Sequence, residues 1–477
     1  MTARIIRLTV VAPGVPSWWT ALAERTFTPL GVGSSLSYGT AYSSSLADWQ
    51  KGPTLNEAYT GMAVKPYGGV TPFPQVISYG GGCIDQSRAE MLLHGGGHMA
   101  YYGNEVYAFN FRASTPGWAP VNATSTGSVS SQYVTAGQSG GGLVGYSEPI
   151  VNCDGQYAGD YSVNGAPMPG HTYHIPTFAN GKMWLFGISA PAAYTKSTSA
   201  SFAWDRAAGV WSRVNQFSGS NKFIADVDIA THYGDDFCAL KSRCYLPDIN
   251  EVWGNLGGKA PWTGKFLWRW SGASGALVSS YTLAQLPYAP AIQEKIVPIY
   301  SAADARWMCA VLIQLGDTMT TGAARVYVID PLNVSTTYNP TLSNPLGVVP
   351  FPHRWGATFV KDLNGVSGQN VLFFGGGGED IYYVKVPAAA RTGTYTIQKL
   401  TLANAADGSR RKPDTVSGDV SSQGPYGRWN VIEDIGDDGS GRKAAIAFLC
   451  NTDGNSGVGD SPPVRPVWIL KLPQVLA

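Results

Sequence analysis

No apolar run in the sequence approaches the roughly 20 residues that a membrane-spanning helix needs, so we expect no membrane span. Charge is also scarce, since 14% of the 477 residues are charged and the net charge is +1. Phosphate binding needs a concentrated basic surface, so we expect no nucleic-acid partner. Helical 3.6-residue periodicity is rare, which argues against a helical repeat protein.

The N-terminus lacks a recognisable secretion signal. Its apolar stretch, Leu8 to Ala12, is shorter than the about 7 to 15 residues of a signal-peptide core. Its alternating pattern predicts a β-strand instead. We therefore expect the protein to leave its cell, if it does so, by a route other than the secretory pathway.

Paired CxxC cysteines are missing as well. The scattered pattern favours buried free thiols over disulfides. The cysteines are Cys83, Cys153, Cys238, Cys244, Cys309 and Cys450. Only Cys238 and Cys244 are close enough in sequence to suggest a local bridge. Asp226 and Asp228 alternate on one predicted strand, but a cation site would need oxygens from other blades. We predict no metal and no cofactor.

Glycine and aromatic residues are abundant, with Gly 58, Trp 15 and Tyr 25, which suits strands joined by long loops. The stretch HGGGHMAYYGNEVYAFNF at 94–111 predicts a β-hairpin with a polar, aromatic loop. Its second strand recurs as SFAWDR at 201–206, FLWRWS at 266–271, VYVIDP at 326–331, IYYVKV at 381–386 and VWILKL at 467–472. Several short strands per repeat predict an all-β chain that forms one β-propeller of six blades. Seven blades are the alternative if 23–74 or 112–170 folds as a blade.

The apolar-Gly-Gly turn, the Tyr-x-Phe-Asp-like strand and the following Gly209, Val210 and Trp211 resemble a blade of the Kelch and galactose-oxidase type of propeller. The resemblance covers most of residues 76–472 and implies a fold. We assign 76–477 to the propeller, with insertions at 112–170 and 401–427. Residues 1–75 are assigned to an N-terminal strand, ring closure and a crossing segment.

The last copy, VWILKL, lies so near the C-terminus that its blade lacks an outer strand. Unpaired strand edges aggregate, so another segment must cover this edge. We predict that the N-terminal segment does so, through either Arg4 to Ala12 or Ser17 to Leu22. Residues 23–74 then form an irregular crossing segment.

Five of the six histidines map to the propeller face where inner strands begin. His98 lies in a loop between a second and a third strand. The other residues at or near the start of inner strands are His171, His174, His232, His353 and Arg428. Each also has a structural alternative, because such side chains can hydrogen-bond the backbone of the next blade. Glu105 is expected to accept hydrogen bonds from turn amides.

This face could be catalytic. In a polysaccharide lyase, His98 or His171 would work with Tyr101 or Tyr173 as base and acid. Arg354 or Arg428 would neutralise a uronate carboxylate. Several lyases, including ulvan lyases, are propellers that the chain resembles in architecture. An oxidase resembling galactose oxidase would need copper held by Tyr and His, and no spacing here specifies such a site.

The function we favour is a virion-associated recognition or structural protein, such as a bacteriophage tail component. Its partner would be a host-surface glycan or protein, since aromatic loops with adaptable polar neighbours suit such recognition. The N-terminal segment could pair with other virion proteins or with a second copy as a homo-oligomer. The predicted ligand-binding residues are His98, Tyr102, Asn104, His171, His232, His353 and Trp429.

Overall fold

The structure is a computed structural model. It describes residues 14–32, 47–55, 77, 80–95, 105–122, 162–163, 166–167, 172, 176–186, 201–214, 242–257, 265–282, 295–314, 324–348, 351, 355–376, 378–405, 408, 413, 425–449 and 466–476. Six antiparallel sheets stand in a ring, so the chain is a six-bladed β-propeller, as the sequence predicts.

The strands, in chain order, are β1 (Phe27–Leu30), β2 (Gly81–Asp85), β3 (Glu90–His94), β4 (Tyr107–Asn110), β5 (Trp118–Pro120), β6 (Ser162–Val163), β7 (Ala166–Pro167), β8 (Thr177–Ala179), β9 (Lys182–Phe186), β10 (Ser201–Asp205), β11 (Val210–Val214), β12 (Arg243–Leu246), β13 (Glu251–Gly257), β14 (Lys265–Ser271), β15 (Leu277–Thr282), β16 (Lys295–Ser301), β17 (Arg306–Gln314), β18 (Ala324–Asp330), β19 (Asn333–Tyr338), β20 (Leu342–Ser343), β21 (Gly356–Val360), β22 (Val371–Gly375), β23 (Ile381–Lys385), β24 (Tyr395–Lys399), β25 (Trp429–Ile432), β26 (Ala445–Phe448) and β27 (Val467–Lys471). The described helices are short: α1 (Ser17–Ala21) and 3₁₀ helices at Asp48–Gln50, Leu363–Gly365 and Tyr426–Arg428.

Each blade is built from inner to outer strand. Blades I to V take β2–β5, β8–β11, β12–β15, β16–β19 and β21–β24, and β20 adds a parallel edge to blade V. Blade VI takes β25, β26 and β27 from the C-terminal part and β1 from the N-terminal part. The inner strands of successive blades contact one another around the ring, and β25 of blade VI contacts β2 of blade I.

The six sequence copies are the third strands, β4, β10, β14, β18, β23 and β27, one in each blade. Strands β3, β22, β26 and β27 are buried at every residue. A blade lies between two other blades, so both of its faces are covered by protein. A strand in that setting is a continuous apolar run rather than an alternating one, which explains sequences such as VLFF and AIAF.

Ring closure uses strands from both ends of the chain, as predicted, but the donor is β1. Phe27 pairs with Leu470 and Leu30 pairs with Val467 in antiparallel register. The prediction that Ser17 to Leu22 is this strand is wrong, because Ser17–Ala21 forms helix α1 and buries two tryptophans in the core. The other predicted donor, Arg4 to Ala12, lies outside the described residues. Strand β1 falls inside 23–74, which was expected to be irregular.

Three cysteines, Cys83, Cys244 and Cys309, are buried free thiols. The free thiols that the sequence favours are confirmed at these three positions, and the local bridge that the spacing of Cys238 and Cys244 suggested is not formed, because Cys244 is free. The Cys244 sulfur instead lies 4.0 Å from the sulfur of Cys309 on the neighbouring blade. Both thiols pack in the apolar core between blades III and IV.

No helix in the described ranges is long and apolar enough to span a bilayer.

Replacing Phe27 by alanine tests the closure. Phe27 is 1% exposed and packs edge to face on Phe448 and Trp468, with ring centroids 5.8 and 6.4 Å away. We expect Phe27→Ala to lower the free energy of unfolding by about 3–5 kcal/mol, measured by urea denaturation. The control Leu332→Ala, at a site that is 76% exposed, should change it by less than about 0.5 kcal/mol. Equal effects of the two variants would contradict the closure.

Candidate functional site

The candidate site is a cavity of about 530 Å³ along the axis of the ring, which we call the central channel. Residues from the inner strands of all six blades line it. Where these strands begin, the lining includes Ser242, Arg243, Lys295, Tyr426 and Gly427, which we call the loop mouth. Where they end, it includes Gln86, Pro247, Trp307, Lys361 and Glu433, which we call the turn mouth.

At the loop mouth, Arg243 ties blade III to blade II. It is the first residue of β12 and is 6% exposed. Its guanidinium donates to the carbonyl oxygens of Ser242 and Phe186, at 3.1 and 3.2 Å. The same group lies 5.5 Å from the ring centroid of Trp270, a cation–π distance. These contacts fix the cation in the wall of the channel.

Lys295 is the second cation at the loop mouth. It is the first residue of β16 and is 2% exposed. Burial disfavours the charged ammonium and lowers the pKa of Lys295 to about 7. Near neutral pH this amine is therefore present in both its charged and its neutral form.

At the turn mouth, Lys361 directly follows β21. Its ammonium lies 3.8 Å from the ring centroid of Tyr300, which stabilises the charge through the face of the ring. Tyr300 in turn contacts Trp307 edge to face, with centroids 5.7 Å apart. The lysine is half-buried and reaches the channel beside these rings.

Glu433 lies at the same mouth and directly follows β25. Its backbone N–H donates to Gln86 Oε1 at 2.9 Å, and the Gln86 amide donates to the Val431 carbonyl at 2.8 Å. Gln86 thus fixes the Glu433 turn against blade I. The residue keeps exposed surface, yet the protein around its carboxyl group displaces water and raises the pKa of Glu433 to about 7.

Arg428 is fully buried at the junction of blades VI and I. Its Nε donates to the Leu449 carbonyl at 3.1 Å, and its Nη1 donates to the carbonyls of Ile77, at 2.5 Å, and Gly80. These contacts are those of the structural alternative raised by the sequence. Trp429 is 1% exposed and packs on Gly356 and Gly375 of blade V, although it also borders the channel.

The other predicted site residues lie outside the described residues, and their roles stay predictions. They are His98, Tyr101, Tyr102, Asn104, His171, Tyr173, His232, His353 and Arg354, together with Asp226 and Asp228.

Glu105 is a buried acceptor, and both its own backbone amide and a side-chain hydroxyl hydrogen-bond to its carboxylate. Its Oε1 accepts a hydrogen bond from the Tyr107 hydroxyl at 2.8 Å, whereas the Val106 amide donates to Asn122 Oδ1. Burial raises the pKa of Glu105 to about 7. His94 Nδ1 lies 3.3 Å from the Glu105 carbonyl oxygen. Neither residue lines the channel.

Sequence reasoning missed the charged residues in the described part of the channel lining, which are Arg243, Lys295, Lys361 and Glu433. A signal for them exists, because each lies at the edge of an apolar inner strand, as in KIVPIYS, GATFVK and WNVIE. A single charge at the boundary of a buried strand is costly unless it faces water or a partner.

The described part of the chain contains no group of three or more His, Cys, Asp or Glu side chains that could hold a metal ion. The absence of a metal stays a prediction.

Comparison with protein-family models finds no match, and no curated sequence matches the chain. Solved structures resemble it weakly. The β-propeller domain of the Trilobed protease from Pyrococcus furiosus is 8% identical over 80% of this chain and 88% of that chain, with a TM-score of 0.27. A protein of unknown function from Dyadobacter fermentans is 10% identical over 83% and 94%, with a TM-score of 0.31. Hydrazine synthase from Kuenenia stuttgartiensis is 8% identical over 67% and 80%, with a TM-score of 0.32. Similarity at this level carries no argument about function.

A substitution of Arg428 tests its contacts. Arg428→Met would leave the carbonyl groups of Leu449 and Gly80 without this donor, at about 1–3 kcal/mol each, whereas the Ile77 carbonyl keeps the Gly80 amide. We expect the free energy of unfolding, measured with urea, to fall by at least about 2 kcal/mol. Arg88→Met, which removes a half-exposed cation 3.5 Å from Asp85, should cost at most about 1 kcal/mol. A stable Arg428→Met protein that has lost ligand binding would instead favour the predicted ligand role.

A pH series tests Lys295. Below about pH 7 the folded protein carries the buried ammonium and bears the full burial penalty. Between about pH 7 and 10.5 the unfolded chain keeps this proton and the folded protein has released it, so this group makes the free energy of unfolding rise with pH. Urea denaturation across this window should show a smaller rise in Lys295→Met than in the parent. The exposed control Lys51→Met should keep the parent slope, and a parent-like slope in Lys295→Met would contradict the burial effect.

Proposed function

We propose that the chain is a non-enzymatic recognition protein that binds a glycan in the central channel of its propeller. The observation that carries the proposal is the channel itself, a cavity of about 530 Å³ lined by all six blades. Ligand sites are typically concave and measure about 300–1,000 Å³. A short saccharide fits within that volume.

The lining also has suitable chemistry. Tyr245 and Trp307 are half-buried aromatic residues of the lining, and Asn430 adds a half-buried amide from blade VI. Sugars present C–H faces that pack on aromatic rings and hydroxyl groups that hydrogen-bond to polar side chains. The wall therefore offers both kinds of contact within one cavity.

The full proposal is that this chain is a bacteriophage tail protein whose propeller has Kelch-like blades and binds a host-surface glycan. Its support is the sequence profile: near-neutral charge and many aromatic and polar loop residues. The N-terminal segment would then contact other virion proteins or a second copy of the chain.

A polysaccharide lyase is the second candidate, and Glu433 is the observation that favours it. A carboxyl group whose pKa is about 7 can exchange a proton near neutral pH. Lys361 and Lys295 supply cations in the same channel that could stabilise developing negative charge.

Calorimetric titration of the purified chain with neutral and acidic oligosaccharides tests both candidates, while ultraviolet absorbance of each mixture reports unsaturated uronate products. We expect binding of at least one saccharide and no rise in absorbance. Ala357→Trp, which fills the channel, should abolish binding, and Val210→Trp on the exposed outer strand of blade II should leave it unchanged.

Three outcomes would contradict recognition of a glycan in the channel. Binding that survives Ala357→Trp in a folded protein would place the ligand elsewhere. A rise in absorbance would establish the lyase. Binding of a host-surface protein with no saccharide binding would make the ligand a protein.

A further inference from the structure

Lys361 and Glu433 lie at the same mouth of the channel without forming an ion pair. Lys361 follows the inner strand of blade V and Glu433 follows that of blade VI, and these two strands are neighbours. Their side chains both line the cavity. Among the described residues, the Lys361 ammonium contacts the Tyr300 ring and no carboxylate. A cation and a carboxyl group therefore face the same space from adjacent blades.

We propose that the turn mouth is a subsite for a sugar that carries a carboxylate, with the carboxylate on Lys361 and a sugar hydroxyl donating to Glu433. This assignment rests on the proposed function, because it names the ligand class of the same channel.

The charge of the lining selects an anion. The channel residues that the structure describes include three basic side chains, Arg243, Lys295 and Lys361, and one acidic side chain, Glu433, and near pH 7 Lys295 carries its charge only in part. An excess of one charge within low-dielectric walls attracts the opposite charge. With a pKa of about 7, Glu433 is partly neutral near pH 7, which weakens its repulsion of a nearby carboxylate.

Lys361 is prepared for a carboxylate. The Tyr300 ring stabilises the ammonium group through its π face and positions it 3.8 Å from the ring centroid. The ring face can engage only the N–H groups that point at it, so the ammonium keeps donor capacity for charge-assisted hydrogen bonds on its other side. Glu433 is fixed from the other side, since Gln86 accepts from its backbone N–H at 2.9 Å.

Three sugars with the same pyranose ring but different substituents distinguish the Lys361 contact from the Glu433 contact. They are glucuronic acid, glucose and glucosamine. Dissociation constants come from ligand-detected NMR at neutral pH. We expect the parent to bind glucuronic acid most tightly and glucosamine least. Lys361→Met should weaken glucuronic acid by about tenfold and leave glucose unchanged, because only the carboxylate contacts the ammonium. Lys361→Arg should restore the preference.

Glu433→Ala should weaken glucose, because the hydroxyl loses its acceptor, and should weaken glucuronic acid less, because the variant also removes the remaining repulsion of the sugar carboxylate. It should therefore not lower the preference for glucuronic acid over glucose. The matched control Lys51→Met removes an exposed cation that pairs with Asp48 outside the channel, and it should change neither constant. Circular dichroism checks folding, and Lys361→Gln replaces Lys361→Met if the latter does not fold.

A Lys361→Met protein with the parent's preference would overturn the subsite, as would a parent that binds glucose as tightly as glucuronic acid. Either result leaves recognition of a glycan in the channel standing. If the parent binds no saccharide in this assay or in the oligosaccharide panel, the proposed function itself fails.

Discussion

The pairing of β1 with β27 is the constraint on which the rest of the structure depends. It joins the two ends of the chain in one sheet, and blade VI exists only when both are present. Lys471, the last residue of β27, strengthens the junction. Its ammonium donates to the Trp19 carbonyl at 3.4 Å, lies 4.5 Å from the Trp19 ring centroid and pairs with Asp438. A closed ring holds six inner strands around one axis, and the channel follows from that arrangement.

Each blade is buried on both faces, and this burial explains where charged side chains occur in the fold. The blades pack against each other, so the middle of each strand contacts only protein and tolerates few charges. Packing ends where the inner strands begin and stop, and there the channel gives side chains space and water. Arg243 and Lys295 begin inner strands, whereas Lys361 and Glu433 follow them. The charges of the channel therefore cluster at its two mouths.

The cations of this region differ in what they contact. Arg428 and Arg243 donate to carbonyl oxygens of neighbouring blades, and their planar donors suit several acceptors at once. Lys361 contacts an aromatic face and also lines the cavity. The two arginines therefore stabilise the ring, whereas Lys361 is the cation that we propose contacts a ligand.

The sequence by itself indicated the strands, favoured six blades with seven as the alternative, and pointed to an N-terminal partner, because apolar runs, glycine turns and an unpaired last strand are local features. It did not determine that Phe27–Leu30 is this partner, since Trp18 and Trp19 in the preceding segment also suit a buried strand. Only the tertiary structure brought Lys361 together with Glu433, and Arg428 together with Ile77. The first pair meets because blades V and VI pack side by side, and the second because the ring closes blade VI on blade I. These residues are far apart along the chain, so no local pattern records their proximity.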